Sequence, residues 1–215
     1  TFLMSYHRQS FIEGLRELAR QTGIMLNESQ ELSEQEKQRQ LLLKINQEAM
    51  QFFRWSLQHQ THGEEARNYL VSRGVSHELQ EKFALGYAMN TWTSLYRHLS
   101  NHHFTQEELT FSGLFGQYEK KKDLYDFFRH RVMFPIFNTY EEIIGFGGRT
   151  LMANQAKYIN SPETVLYDKG KNLYGLHLAK NSICRLDQVI LVEGYLDVLM
   201  AHQYGFQQTV ATLGT

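Results

Sequence analysis

Gln188-Val189-Ile190-Leu191-Val192-Glu193-Gly194-Tyr195-Leu196-Asp197 decides how the end of the chain folds. Residues 188–192 predict a buried strand, and Gly194 lets the backbone turn tightly into a helix that runs to Tyr204. The apolar run 208–215 predicts a second strand, so strand, helix and strand form a βαβ unit with a parallel pair. Glu193 then stands at the carboxyl end of a strand, where open α/β sheets bind their ligands. A carboxylate there suits a hard cation such as Mg²⁺, and Asp197, one helical turn on, can reach the same ion or a water on it. The same two residues also fit a strand-terminating charge and a first-turn acid favoured by the helix dipole. The local sequence leaves both readings open.

Upstream lies a basic, aromatic-rich stretch. It carries Lys120-Lys121-Lys122, Arg129, Arg131, Arg149, Lys157, Lys169 and Lys171 among Tyr and Phe residues, with Asn160 and Ser161 at an expected turn. Such a mixture suits a single-stranded nucleic acid, because charge tracks the backbone while rings stack on bases. Solvated lysines on strand edges are the alternative. That alternative covers Lys120–Lys122 and Lys171 better than Arg149 and Lys157. Residues 117–185 hold 11 basic and 7 acidic side chains, whereas residues 186–215 hold 3 acidic and none basic. A polyanion-holding surface therefore runs into a segment suited to cations. Gly145, Gly147 and Gly148 lie in a strand-like run with no Lys-Ser ending, so they predict a bend or a close backbone approach rather than a phosphate loop.

The β-rich runs expected here are 114–119, 131–137 and 142–151, with 138–141 as a hairpin turn, followed by a helix over 173–181. The first half is helical. Ser10 with Glu13 opens a helix that ends at Gly23, and Ser33 with Glu36 opens a long one with Leu41, Ile45, Ala49 and Phe52 on one face. Short helices follow over 63–72, from Ser76 to near Gly86, over 93–99, and from Thr105 to Gly113.

Fourteen Phe, 12 Tyr and 2 Trp in 215 residues exclude a disordered chain, and no apolar run reaches the length of a membrane span. The beginning, Thr1-Phe2-Leu3-Met4, lacks signal-peptide features, and both termini read as cut, which predicts a fragment. Cys184, the single cysteine, predicts a core thiol in a reducing, cytoplasmic setting. The ten histidines, His98, His102 and His103 among them, have no cysteine partners and no His-x-x-x-His pair enclosing a glutamate, so surface or loop positions are expected.

The runs Arg131-Val-Met-Phe-Pro-Ile136, Ile144-Gly-Phe-Gly-Gly-Arg-Thr-Leu151, Lys157-Tyr-Ile-Asn-Ser-Pro-Glu-Thr164, Lys169-Gly-Lys-Asn-Leu-Tyr-Gly175 and Leu191-Val-Glu-Gly-Tyr-Leu-Asp-Val198 closely resemble the bacterial DnaG-type DNA primases, in that family's order and spacing. Val210-Ala-Thr-Leu-Gly-Thr215 continues the resemblance. Tyr69-Leu-Val-Ser-Arg-Gly-Val-Ser-His77 and Phe83-Ala-Leu-Gly-Tyr87 are similar to the start of the family's RNA-polymerase domain. The resemblance implies an α/β chain, a mixed α+β basic subdomain followed by a truncated TOPRIM α/β subdomain. It implies the end of a zinc-binding domain over 1–25, a linker and long helix over 26–60, the basic subdomain over 61–186 and the TOPRIM part over 187–215.

Further implications concern activity. The resemblance implies metal-dependent synthesis of short RNA primers from ribonucleoside triphosphates on single-stranded DNA, at the replication fork in the cytoplasm. Glu193 matches the TOPRIM glutamate, catalytic and metal-holding with Mg²⁺ or Mn²⁺, and Asp197 matches its neighbouring acid. Arg73, Arg149, Lys157, Asn160 and Lys169 match the ridge that holds template and nucleotides, with Arg131 as a further addition. The family's Zn²⁺ ligands, its Asp-x-Asp pair and its helicase-binding domain are not in these residues, which implies weak metal binding and little polymerisation by this stretch alone. A TOPRIM nuclease or topoisomerase, and a non-catalytic single-strand-binding module, are the competing readings.

Overall fold

The structure, a computed structural model, describes residues 22, 34–118 and 123–214. The helix expected from Ser10 to Gly23, the Ser33 cap and Lys120–Lys122 rest on residues outside that set. The chain divides into two compact units, 1–37 and 38–215, and apart from residues 34–37 of the first helix the features that follow lie in the second.

The long amphipathic pattern forms helix α1 (Glu34–Gln58), which buries Leu42, Ile45, Ala49 and Phe53 along one stripe. Asn46, buried on the same stripe, donates a 2.9 Å hydrogen bond to the Ile143 carbonyl and so fixes α1 on the central sheet. Four short helices follow: α2 (Glu64–Ser72), α3 (His77–Lys82), α4 (Ser94–Asn101) and α5 (Gln106–Thr110). Ser76 caps α3 through Leu79 N–H, and Thr105 with Glu108 forms the expected capping box on α5.

The central sheet is antiparallel, in the order β1 (Gly86–Ala88), β4 (Arg131–Phe137), β5 (Ile143–Thr150), β6 (Tyr158–Asn160). The β4–β5 hairpin turns where expected, with the Asn138 side-chain oxygen accepting from the N–H groups of Tyr140 and Glu142. Pro135 is tolerated in β4 because β1 pairs only with residues 131–133 and leaves the later part of that edge free. Val132, Phe134 and Ile136 pack against α2 and α3 on one face, while Met133 meets α1 and α4 on the other. Both faces are covered, which explains the nearly continuous apolar run of β4.

β2 (Phe115–Gln117) and β3 (Leu124–Asp126) form a separate antiparallel ribbon. Helix α6 (Leu176–Leu186) leads to β7 (Ile190–Val192), α7 (Tyr195–Gln203) and β8 (Thr209–Ala211), and β7 pairs with β8 in parallel. The order and parallel pairing of the βαβ unit are as the sequence predicts, but its strands have three residues each, against predicted runs over 188–192 and 208–215.

Several expectations need correction. Strands β1, β3 and β6 have three residues each, too few to display an alternation, and had no sequence signal. The helix expected over 173–181 begins only at Leu176, because Gly175 adopts a left-handed φ of 80°. β7 is not a buried strand: Leu191 is 59% exposed, since the described residues give its sheet only two strands. Cys184 is exposed rather than in the core, because α6 turns the face carrying His177, Ala179 and Ser182 inward. His177 and His202 are buried, not on the surface or in loops. Burial pushes the His177 imidazole down to about 4 and lowers His202 as well, so both pack as neutral rings.

Candidate functional site

The turn from β7 into α7 builds one wall of an open cavity of about 510 Å³. Gly194 leaves room there for a neighbouring carboxylate. A Cβ at that position would lie 2.9 Å from Asp197 Oδ2, which shows that the Asp197 carboxylate curls back over the strand–helix junction beside the exposed Glu193. The other wall comes from α2 and from the approach to β6: Tyr69, Arg73, Lys157 and Tyr158. Two cations therefore face two carboxylates across one cavity. Lys157 from the basic stretch and the two carboxylates from the acidic end thus line one cavity, joined by Arg73 from the first half of the chain.

Arg149 stands directly behind this wall, paired in the sheet with Tyr158. Its guanidinium carbon lies 4.3 Å from the centre of the Tyr69 ring, and that of Arg73 lies 5.3 Å from the same ring. The buried Arg149 Nε and Tyr69 hydroxyl find no hydrogen-bond partner among the described residues. Burial raises the Tyr158 phenol, with Tyr69 adding to the effect, and the Arg149 charge and hydrogen bond oppose it.

The structure brings Arg73, Lys157, Glu193 and Asp197 together, with Arg149 one layer behind. It gives three other expected residues different surroundings. Asn160 accepts a 2.6 Å hydrogen bond from Tyr195 Oη and donates another of 2.6 Å to the Leu213 carbonyl, so its amide joins β6 to the βαβ unit. Arg131 is buried and donates to Gly148 O, Ala156 O and Gln155 Oε1, which fastens the β5–β6 connection. Lys169 is exposed on a 3₁₀ turn and does not line the cavity.

The glycines of β5 are close-approach positions, as predicted. A Cβ at Gly147 would meet Tyr195 Cζ at 2.4 Å, and one at Gly148 would meet Phe128 Cδ1 at 2.7 Å. Tyr195 can thus lie flat on the sheet, its ring stacked 4.9 Å from that of Phe134.

Sequence reasoning passed over Tyr69 and Tyr158 as site residues, although both occur in the motifs quoted above. It also passed over Trp92. That indole is 56% exposed, and the Arg129 guanidinium carbon lies 4.0 Å from its ring centre. Tyr125 and Tyr118 complete the aromatic cluster at 5.8 and 6.4 Å from Trp92. Asp126 braces this region by accepting from the N–H groups of Leu95 and Tyr96 and from Ser94 Oγ, although burial still pushes its carboxyl up to about 6.

Glu193 and Asp197 fit a hard divalent cation. Both offer carboxylate oxygens at an open strand end, and the bare Cα of Gly194 leaves the space into which the Asp197 carboxylate folds. No third acidic, histidine or cysteine side chain closes a cluster with them among the described residues.

Comparison with known proteins places the chain in a family. The family described as DNA primase catalytic core, N-terminal domain, matches residues 52–180. The DNA primase of Clostridium acetobutylicum is 38% identical over 218 residues, and that of Helicobacter pylori is 37% identical over 221. Both alignments take in the whole chain but only 35% and 37% of the relative, so the chain spans about a third of the length of these curated relatives. The RNA polymerase domain of Mycobacterium tuberculosis primase DnaG superimposes with a TM-score of 0.77 at 38% identity, covering 82% of this chain and 57% of that one. A DnaG primase catalytic domain bound to ssDNA gives 0.76 at 39%, covering 83% and 57%. The Aquifex aeolicus primase, with its zinc-binding and RNA polymerase domains, gives 0.75 at 32%, covering all of this chain and 51% of that one. These relatives are DNA primases by name, and the chain belongs to the family of the DnaG primase catalytic core, N-terminal domain.

Proposed function

We propose that this chain holds template and nucleotides in a DNA primase that makes short RNA primers on single-stranded DNA. The observation that carries the reading is the cavity in which Arg73 and Lys157 face Glu193 and Asp197. Joining ribonucleotides brings a 3′ hydroxyl in line with an α-phosphate and expels pyrophosphate, with no covalent protein nucleophile. Arg73 and Lys157 neutralise and orient phosphate oxygens, and Arg149 stiffens their wall through Tyr69. Glu193 and Asp197 hold Mg²⁺ or Mn²⁺, which when bound supplies charge stabilisation for the attacking and leaving oxygens. Two carboxylates alone hold such an ion weakly, so this stretch by itself polymerises little.

The Trp92–Arg129 cluster extends the interface. An exposed indole backed by a guanidinium is a stacking platform for an unpaired base. On this reading residues 61–186 form a basic subdomain and residues 187–215 belong to a TOPRIM subdomain. Lys169 and Asn160 contribute at its margins, Asn160 by positioning Tyr195. Ribonucleoside triphosphates are the second substrate. The full-length protein works at the cytoplasmic replication fork with a replicative helicase and a zinc-binding domain.

The test has two arms. Fluorescence anisotropy of a labelled single-stranded oligonucleotide at several salt concentrations should give a log–log salt slope that shrinks by about 0.7 for each phosphate-contacting cation replaced, as in Lys157→Glu or Arg73→Glu. Primer synthesis by the full-length protein should collapse in Glu193→Gln. An unaltered priming rate in that variant overturns the catalytic assignment, and an unaltered salt slope overturns the template wall.

A further inference from the structure

We propose that Glu48, His98 and His102 form a site for a divalent transition-metal ion of the Zn²⁺ class, separate from the Glu193–Asp197 cavity. Their ligand atoms all lie within 4.8 Å of one another, and they are the only such convergence of His, Cys, Asp or Glu side chains among the described residues. His98 and His102 sit four residues apart at the end of α4 and therefore share a helix face. Glu48 comes from α1, which packs on the same side of the central sheet.

The spacing suits coordination. His102 Nδ1 and Glu48 Oε2 are 3.3 Å apart. Two ligands at about 2.0–2.1 Å from a tetrahedral ion stand roughly 3.3–3.4 Å from each other. The imidazoles of His98 and His102 lie with ring centres 4.3 Å apart, and His98 is braced by stacking on Phe52 at 4.6 Å. Glu48, Gln51, Phe52, Trp55, His98 and His102 surround an open cavity of about 400 Å³. Three protein ligands leave a fourth position for water on its side.

A plain histidine–carboxylate pair explains less. His130 and Glu65 form such a pair at 3.3 Å, and no third ligand joins them. At Glu48 a second imidazole converges on the same point. Two imidazole nitrogens with one carboxylate oxygen favour Zn²⁺, Ni²⁺ or Cu²⁺ over Mg²⁺. An ion held there clips α1 to α4 across one face of the fold.

The experiment uses the whole chain after chelator treatment. Zn²⁺ is titrated against a chromophoric chelator with Mg²⁺ in excess, so that hard carboxylate sites are already occupied, and Co²⁺ is added separately to read its visible d–d bands. One equivalent of Zn²⁺ should bind, and a Co²⁺ spectrum with imidazole ligation should appear. Affinity should fall by at least about tenfold in His98→Ala, His102→Gln and Glu48→Gln. The His59→Ala/His62→Ala variant, which removes the neighbouring stacked pair, should bind as before. Zn²⁺ should also raise the melting temperature of the unaltered chain and not that of His102→Gln, whose half-exposed side chain can change without loss of the fold. Absence of stoichiometric Zn²⁺ binding, or one equivalent that survives all three ligand substitutions, overturns the proposal.

Discussion

The phenolic hydroxyl of Tyr195 donates to the side-chain oxygen of Asn160 at 2.6 Å, and the Asn160 amide nitrogen donates onward to the Leu213 carbonyl. One asparagine thus ties the last strand of the central sheet to the helix of the βαβ unit and to the segment just after its C-terminal strand. Asn160→Ala strands a buried phenol and a carbonyl, so a loss of about 2–3 kcal/mol is expected in urea unfolding, against about 1 kcal/mol for Tyr195→Phe. The double variant should cost less than the sum, because the two side chains share one bond. Strict additivity would remove the clasp from the account.

Gly147 makes room for the same tyrosine. Gly147→Ala pushes a methyl group to within 2.4 Å of Tyr195 Cζ and should cost roughly 1–3 kcal/mol, read as a lowered melting temperature. Gly170→Ala is the control, because its nearest neighbour, Asp168 Oδ1, is 3.4 Å away. Equal melting temperatures for the two variants would contradict the close approach.

Acid should loosen the fold through His177. Its folded-state pKa of about 4 lies below the ordinary value of 6.5, so between these limits the unfolded chain binds a proton that the folded chain refuses. Stability is fully present above pH 6.5 and declines as pH falls towards 4, by about 2 kcal/mol from pH 7 to pH 5 for this group. His177→Leu also removes the unpartnered Nδ1 and should flatten that decline in chemical unfolding measured at both pH values. A slope unchanged by the substitution would assign the acid sensitivity to other groups, His202 first among them.

Trp92→Ala should weaken single-strand binding by about 1–3 kcal/mol while leaving the salt slope alone, since stacking involves no counterion release. Lys157→Glu should weaken binding and also reduce the slope. Anisotropy over a salt series separates the two, and a Trp92→Ala slope reduced as much as that of Lys157→Glu would place charge, not stacking, at the indole.

What the sequence made legible was local. The run through Glu193, Gly194 and Asp197 announces a strand, a tight turn and a helix within a few residues, and the glycines of β5 announce a close approach without naming the tyrosine that makes it. Long-range partnerships left no such mark. Arg131 and Arg149 look alike in sequence, yet one is buried under three hydrogen bonds and the other backs the cavity wall. Glu48 is remote in the chain from His98 and His102, so no spacing rule could join them. The three-residue strands gain their identity from the neighbours that pair with them, not from a period of their own.

The balance of charge in the Arg73–Lys157–Glu193–Asp197 cavity has a consequence for the order of events. In the proposed site, Glu193 and Asp197 offset Arg73 and Lys157, which weakens the pull of the bare cavity on a polyanion. A divalent cation taken up by the carboxylates leaves the two basic side chains uncompensated, so phosphate then meets an excess of positive charge. Thermodynamic reciprocity makes the converse equally true: a bound phosphate chain raises the affinity of the weak cation site by the same factor. On the proposed reading the two ligands would be each other's effectors, each held more firmly when the other is present.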